Sequence, residues 1–262
     1  MKPVELDTLK NWFAGYTAGY LTKSADHDRA IHLKIDHTQR VCQNIIMLAR
    51  AMNLSENDLL LAETMGLLHD IGRFEQYAIY GTFSDMASEN HARMGMRQIA
   101  KHKLLAIFTL PEKRLIAGAV AFHNAATLPR GKSSRQLFFM KLLRDADKLD
   151  IWKVVTDYYS NQDSGRNKTL ELDLSVDPEY SQEILLALNE KKIIRMEKLK
   201  TLNDFKLLQL SWVYDLNFSF SFETLLEHGY IDRIAASLPQ TDEIVSMVNQ
   251  VRRYAEVQLH PL

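Results

Sequence analysis

The sequence predicts an all-α fold. Glycine and proline are scarce, with 10 and 6 among 262 residues, and apolar residues recur at steps of three and four almost throughout the chain. This spacing places apolar side chains on one face of a helix. The alternation of Leu170, Leu172 and Leu174 is compatible with one short strand. We therefore expect a helical bundle.

Capping residues indicate several helix boundaries. Ser55 is the N-cap expected for one helix, and Ser88 is the N-cap expected for the helix that carries His91. Pro111 suits the first turn of a helix that ends near His123, because proline lacks the N–H that this turn leaves unpaired. Pattern alone assigns two further segments, a helix over 134–159 and a loop over 77–87.

Composition and charge limit the classes of function. The formal net charge is −1, so no overall field attracts a nucleic acid polymer or an anionic membrane. Cys42 is the only cysteine, which excludes an intramolecular disulfide and favours a reducing compartment. We see neither a signal-peptide core nor an apolar stretch long enough to span a bilayer. A cytoplasmic protein is expected.

Two parts of the chain are distinguished by a polar break over 161–168. We expect residues 1–160 to form a helical core and residues 161–262 to form a helical extension packed on it as one structural unit. A chain of 262 residues is long enough to bury a sizeable core. The oligomeric state is open, and a homo-oligomer is compatible with the sequence.

Six potential metal ligands follow one another along the core. In chain order they are His37, His69, Asp70, His91, His123 and Asp147. Asp147 shares a helix face with Met140 and Leu143, which directs its carboxylate toward apolar surroundings. Such a carboxylate needs a metal, a cation or backbone donors. A metal ion is the simplest partner that gathers imidazoles and carboxylates from separate helices.

His69 and Asp70 are adjacent, so on a continuous helix their side chains would diverge by about a hundred degrees. They converge on one ion only if the helix ends there, and we expect Gly72 to be its terminus. Taken singly, each histidine is more often a hydrogen-bonded core residue than a ligand. The order and context of all six favour a metal site.

The order His, His-Asp, His, His, Asp resembles the HD-domain superfamily of metal-dependent phosphohydrolases in its six-ligand, two-metal form, over roughly residues 30–160. This resemblance implies a helical, phosphodiesterase-like bundle and one or two divalent ions. It assigns the first ion to His37, His69, Asp70 and Asp147, and a second ion to His91 and His123 with Asp70 bridging. Nitrogen and oxygen ligands do not distinguish manganese, iron, nickel, cobalt and zinc.

The resemblance implies hydrolysis of a small phosphorylated molecule, with a nucleotide as the expected class, through a metal-activated water. The Gly-Tyr-Pro signature of cyclic-di-GMP phosphodiesterases is missing, because Arg73 follows Gly72. Asp70 is the expected catalytic carboxylate. Arg73 and Lys148 are cations next to ligands, where they could neutralise phosphate oxygens as catalytic and substrate-binding residues. Asn124 and Arg130 are further candidates for substrate binding.

Other interpretations remain open. Arg73 and Lys148 could instead form ordinary ion pairs, for example with Glu75 and Asp145, while Arg144 is explained as part of the solvated face of its helix. The same ligand pattern would serve a di-iron oxygenase of the HD fold. A third alternative is a non-catalytic signalling or binding module, although such a module need not keep a cluster of buried charge.

Overall fold

The computed structural model describes residues 2–22, 24–161, 167–172 and 174–259. These residues form helices and connecting segments without a β-strand, which confirms the all-α prediction. The alternation at Leu170 to Leu174 is not a strand, because a short helix already covers 168–171. The only β-type pairing in the described part of the chain is an isolated bridge between Ser175 and Thr201.

The chain divides into two compact units, residues 1–147 and residues 148–262. The helices up to the boundary are α1 (Pro3–Ala18), α2 (Ala25–Ala51), α3 (Glu56–Leu68), α4 (Gly72–Tyr80), α5 (His91–Lys101), α6 (Leu110–Phe122) and α7 (Ser134–Ser160), which contains the boundary. The division at residue 160 stays a prediction, and residues 162–166 of the polar break lie outside the described residues.

The first unit is organised around α3. This helix packs along α2 and also contacts α1 and α6, while α5 packs against α4 and α6. Ile45, Leu48, Leu61, Met65 and Ile116 are fully buried where these helices meet. Burial of each such side chain stabilises the fold by roughly 1.5–3 kcal/mol. The apolar stripe of α2 thereby holds His37, on the same face, toward this core.

Two of the expected helix starts are confirmed. The Ser55 hydroxyl accepts the N–H of Asp58 at the start of α3. Pro111 stands in the first turn of α6, where the Glu112 carboxylate accepts the Thr109 N–H at 2.9 Å. The helix over 134–159 is also confirmed, since α7 ends one residue later.

Other boundaries were predicted wrongly. Asn90, not Ser88, caps α5, because its side chain accepts the Arg93 N–H at 3.0 Å. The Ser88 hydroxyl donates to the Ser84 carbonyl instead. The loop expected over 77–87 begins only at Gly81, whose φ of 65° ends α4 in the left-handed conformation that glycine adopts without strain.

Gly72 does not end a helix as expected. Helix α3 stops at Leu68, and Gly72 is the first residue of α4. A Cβ on Gly72 would lie 2.2 Å from the His91 carbonyl oxygen and 2.4 Å from the Gly95 nitrogen. Glycine is therefore required because the backbones of α4 and α5 approach closely at this point.

Within its described residues, the second unit contains the end of α7 and six more α-helices. These are α8 (Lys168–Glu171), α9 (Gln182–Asn189), α10 (Leu202–Ser211), α11 (Ser219–Glu227), α12 (Tyr230–Ala236) and α13 (Asp242–Leu259). Helix α13 packs against α9 and α11, and the buried Trp152 donates its indole N–H to the Gln209 carbonyl at 3.1 Å. No helix in the described part of the chain has the length and apolar character needed to cross a bilayer.

Candidate metal centre

All six predicted ligands lie in the first unit and converge on one cluster. His37 comes from α2, His69 and Asp70 from the turn between α3 and α4, His91 from the first position of α5, His123 from the end of α6, and Asp147 from α7. The helix break after Leu68 allows adjacent residues 69 and 70 to face the same site. Three overlapping groups of these side chains have ligand atoms close enough to hold a metal ion.

One half of the cluster surrounds Oδ2 of Asp70. The His37 Nε2 lies 3.5 Å from this oxygen and the His69 Nε2 lies 3.8 Å from it. Oδ1 of Asp147 completes the group, at 3.2 Å from the His37 Nε2 and 3.7 Å from the His69 Nε2. This half contains the four residues expected to bind a first ion.

The other half surrounds Oδ1 of Asp70. The His91 Nε2 lies 3.4 Å and the His123 Nε2 lies 3.8 Å from this oxygen, and the two nitrogens are 2.9 Å apart. Ligands bound to one ion at about 2.1 Å lie about 3.0–3.4 Å from each other. The two oxygens of one carboxylate thus face two different pairs of histidines.

The partners of the Nδ1 atoms indicate which ring nitrogen is free to coordinate. The His69 Nδ1 donates to the Gly66 carbonyl at 2.7 Å, and the His123 Nδ1 donates to the Val120 carbonyl at 2.8 Å. The His91 Nδ1 lies 2.8 Å from a carboxylate oxygen of Asp85. In a neutral ring with Nδ1 protonated, Nε2 carries a lone pair.

Burial keeps these rings neutral. It lowers the pKa of His69, and it lowers the pKa of His91 and of His123 to about 4. The Nε2 lone pairs of His91 and His123 therefore point at each other across 2.9 Å, which is unfavourable unless a cation lies between them. The donor set fits a metal ion on this ground.

The two carboxylates of the cluster are ionised. Burial would raise the pKa of Asp70, but the charges of Lys34 and Arg73 outweigh burial and hold it well below its ordinary value. The pKa of Asp147 is also lowered, because the His37 hydrogen bond outweighs the effect of burial. His69 is fully buried, whereas the Asp147 side chain is 16% exposed.

The family model for the HD domain matches residues 35–159. This chain carries an HD domain. The matched range includes all six predicted ligands, and HD domains bind divalent metal ions and are commonly hydrolytic. No curated protein and no solved structure matches the chain significantly.

Two cations contact the central carboxylate of the HD domain. Arg73 was predicted from its place after Asp70, and its Nε lies 3.4 Å from Asp70 Oδ1. Its other carboxylate partner is Asp85, and not Glu75 as the alternative interpretation had named. Lys34 was not predicted, and its Nζ lies 3.0 Å from Asp70 Oδ2. The available signal was its position one helical turn before His37, on the same face of α2.

The substrate candidates Asn124, Lys148 and Arg130 lie in different surroundings. Asn124 is close to the HD-domain cluster, with its Nδ2 3.2 Å from Asp85 Oδ2. Lys148 belongs to the second unit and forms an ion pair there with Asp215, at 2.6 Å. Arg130 is exposed, beside Gly131 with its φ of 73°.

Arg144 does not lie on a solvated face, and this prediction was wrong. Arg144 is only 5% exposed, and its Nη1 donates to the carbonyls of Phe122, His123 and Ala125, at 3.3, 3.0 and 2.6 Å. The guanidinium satisfies carbonyl groups that the end of α6 leaves unpaired. Arg144 thereby stabilises the backbone that presents His123 to the HD-domain cluster.

Proposed function

We propose that this protein is a metal-dependent phosphohydrolase that acts on a small phosphorylated molecule, with a nucleotide as the expected class of substrate. The observation that carries the proposal is the position of Asp70. Its two carboxylate oxygens face separate groups of ligand atoms, at 3.5 Å from the His37 Nε2 on one side and 3.4 Å from the His91 Nε2 on the other. A carboxylate placed in this way supports the proposal that Asp70 would be shared by two ions.

In this proposal the six residues divide between two ions. His37 and His69 would hold one ion with Asp70 Oδ2, and His91 and His123 would hold the other with Asp70 Oδ1. Asp147, which lies 3.2 Å from the His37 Nε2 and also groups with His69 and His123, would complete the first ion's ligands. Divalent ions bound there would lower the pKa of a bound water toward neutrality and draw charge from phosphoryl oxygens. The nitrogen and oxygen donors fit manganese, iron, nickel, cobalt or zinc.

Residues of the chain bind and orient the substrate in this proposal. Arg73 and Lys34 already lie within 3.4 Å of the Asp70 oxygens, so a phosphate placed beside Asp70 would find two cations for its remaining oxygens. Asn124 offers an amide beside the His91 ring. Lys148 and Arg130 stay proposals from the sequence alone, and Lys148 would have to exchange its ion pair with Asp215 for the substrate.

A screen of the purified protein tests the proposal. The protein is reconstituted in turn with manganese, cobalt, nickel, iron and zinc, and is assayed against nucleotides and other phosphoesters for phosphate and nucleoside products. We expect hydrolysis that depends on the metal and is abolished by Asp70→Asn. Asp58→Asn is the matched control, because this acid on α3 pairs with Arg135 outside the cluster and should leave activity unchanged.

The alternative of a di-iron oxygenase is supported by the same six donors, which would also hold two iron ions. Anaerobic loading with ferrous iron followed by exposure to dioxygen separates the two functions. Oxygen uptake by iron-loaded protein, with no phosphoester hydrolysed under any metal, would contradict the phosphohydrolase proposal. The absence of both activities and of bound metal would leave a signalling or binding module.

A further inference from the structure

A loop carboxylate, Asp85, lies behind the His91 ring. The His91 Nδ1 is 2.8 Å from Asp85 Oδ2 and 2.9 Å from Oδ1, and the His91 backbone N–H donates to Oδ1 at 3.3 Å. Arg73 forms an ion pair with the same carboxylate at 3.1 Å. The carboxylate therefore accepts from both His91 donors on the side away from Nε2.

The need for Asp85 follows from where each histidine lies on its helix. His69 and His123 follow the last residues of α3 and α6, and each donates Nδ1–H to the carbonyl three residues earlier, at Gly66 and Val120. His91 is the first residue of α5, so no helical turn precedes it to supply such a carbonyl. A side chain from the preceding loop takes that role.

Asp85 also joins the neighbouring polar groups. Its Oδ1 accepts from the Arg73 Nη1 at 3.1 Å and from the Gln76 Nε2 at 2.9 Å, and its Oδ2 accepts from Asn124. Gln76 is fully buried on α4 and also contacts the Glu89 carbonyl at 2.9 Å, which anchors the end of the loop. Asp85 is absent from the ligand groups found among the described residues.

We propose that Asp85 is a positioning residue for the second ion of the site. By accepting Nδ1–H it keeps His91 in the tautomer whose Nε2 lone pair faces His123, and it fixes the orientation of the ring. This inference rests on the proposed two-ion site. It predicts a selective effect, because the ring that Asp85 contacts is that of His91, a ligand of the second ion in the proposed site.

Titration of the metal-free protein with cobalt tests the inference, with calorimetry for affinity and visible absorption for coordination. Wild type should bind about two ions. Asp85→Ala should bind the first ion as wild type does and the second about 10- to 100-fold more weakly. At one equivalent its absorption spectrum should match that of His91→Ala.

Two variants make the test specific. Asp85→Asn keeps an amide oxygen that can accept Nδ1–H without the charge, so it should weaken the second ion by less than Asp85→Ala does. Asp85→Asn also replaces Asp85→Ala in the titration if circular dichroism shows that Asp85→Ala is unfolded. Glu89→Gln is the matched control, because this acid of the same loop pairs with Arg97 and should leave both ions unchanged.

The outcomes separate this inference from the proposed function. Two ions bound by wild type and by both Asp85 variants with unchanged affinity would overturn the positioning role and leave the two-ion site standing. Equal weakening of both ions would also overturn it, since that indicates general loss of structure. If wild type binds no cobalt, the proposed function and the role of Asp85 are both wrong.

Discussion

Replacement of Gly72 by alanine should destabilise the first unit and weaken its metal site together. The added Cβ would lie 2.2 Å from the His91 carbonyl oxygen and 2.4 Å from the Gly95 nitrogen, each 1 Å or more short of the 3.4 Å at which ordinary contact begins. Both atoms belong to the backbone of α5, so no side-chain rotation relieves the contact. Helices α4 and α5 must move apart.

The magnitude follows from that geometry. Overpacking of a core costs typically 1–3 kcal/mol, and a clash with rigid backbone belongs at the upper end, so we expect Gly72→Ala to lower the free energy of unfolding by about 3 kcal/mol. For a chain of this size that loss corresponds to a fall in Tm of about 6–12 °C. Because the displaced backbone belongs to His91, binding of the second ion should weaken as well.

Urea unfolding and cobalt titration measure the two effects of Gly72→Ala. Gly15→Ala is the matched control, because a Cβ at this position within α1 meets nothing within 4 Å. It should raise the free energy of unfolding by about 0.5–1 kcal/mol, since alanine loses less conformational freedom than glycine in a helix. A Gly72→Ala protein with wild-type stability and two bound ions would refute the close-approach explanation.

Three further results are expected. Arg144→Met should lower the free energy of unfolding in urea by about 2–3 kcal/mol, because it leaves buried carbonyls unpaired, whereas the exposed Arg114→Met should change it by less than about 0.5 kcal/mol. Lys148→Ala should reduce kcat about 10- to 1,000-fold with metal content intact, and near-normal turnover would remove Lys148 from the mechanism. The stability of the metal-free protein should fall as the pH drops from about 6.5 toward 4. Burial lowers the pKa of His91 and His123 to about 4 in the folded protein, so over this pH range the unfolded chain binds more protons than the folded chain does. A urea midpoint that is constant over that range would contradict this linkage.

Helix boundaries were predictable where one local signal stands alone. Ser55 before α3 and Pro111 in α6 are such cases. The start of α5 was not, because Ser88 and Asn90 are both suitable caps two residues apart. The choice depends on a tertiary contact, since the Ser88 hydroxyl accepts from the buried Gln76 side chain of α4. Local sequence does not contain that contact.

The ligand candidates could be predicted because their residue types and order are unusual along a helical core. The groups around them could not, because they depend on which helix faces become buried. Residues 142–146 of α7 are all buried, so Arg144 has no solvated face to occupy. The role of Asp85 likewise requires knowing that the loop after α4 folds back over His91.

The close approach of α4 and α5 also explains how both side chains of the His-Asp doublet face the same cluster. Adjacent side chains on one helix cannot face the same ion, and here α3 ends at Leu68 before the doublet begins. Gly72 then admits the α5 backbone, which brings the His91 Nε2 to 3.4 Å from one Asp70 oxygen while the His37 Nε2 lies 3.5 Å from the other. The short turn from His69 to Gly72 therefore lets a single carboxylate be shared by ligands from α2 and α5. A longer helix α3 would direct Asp70 toward only one of the two groups.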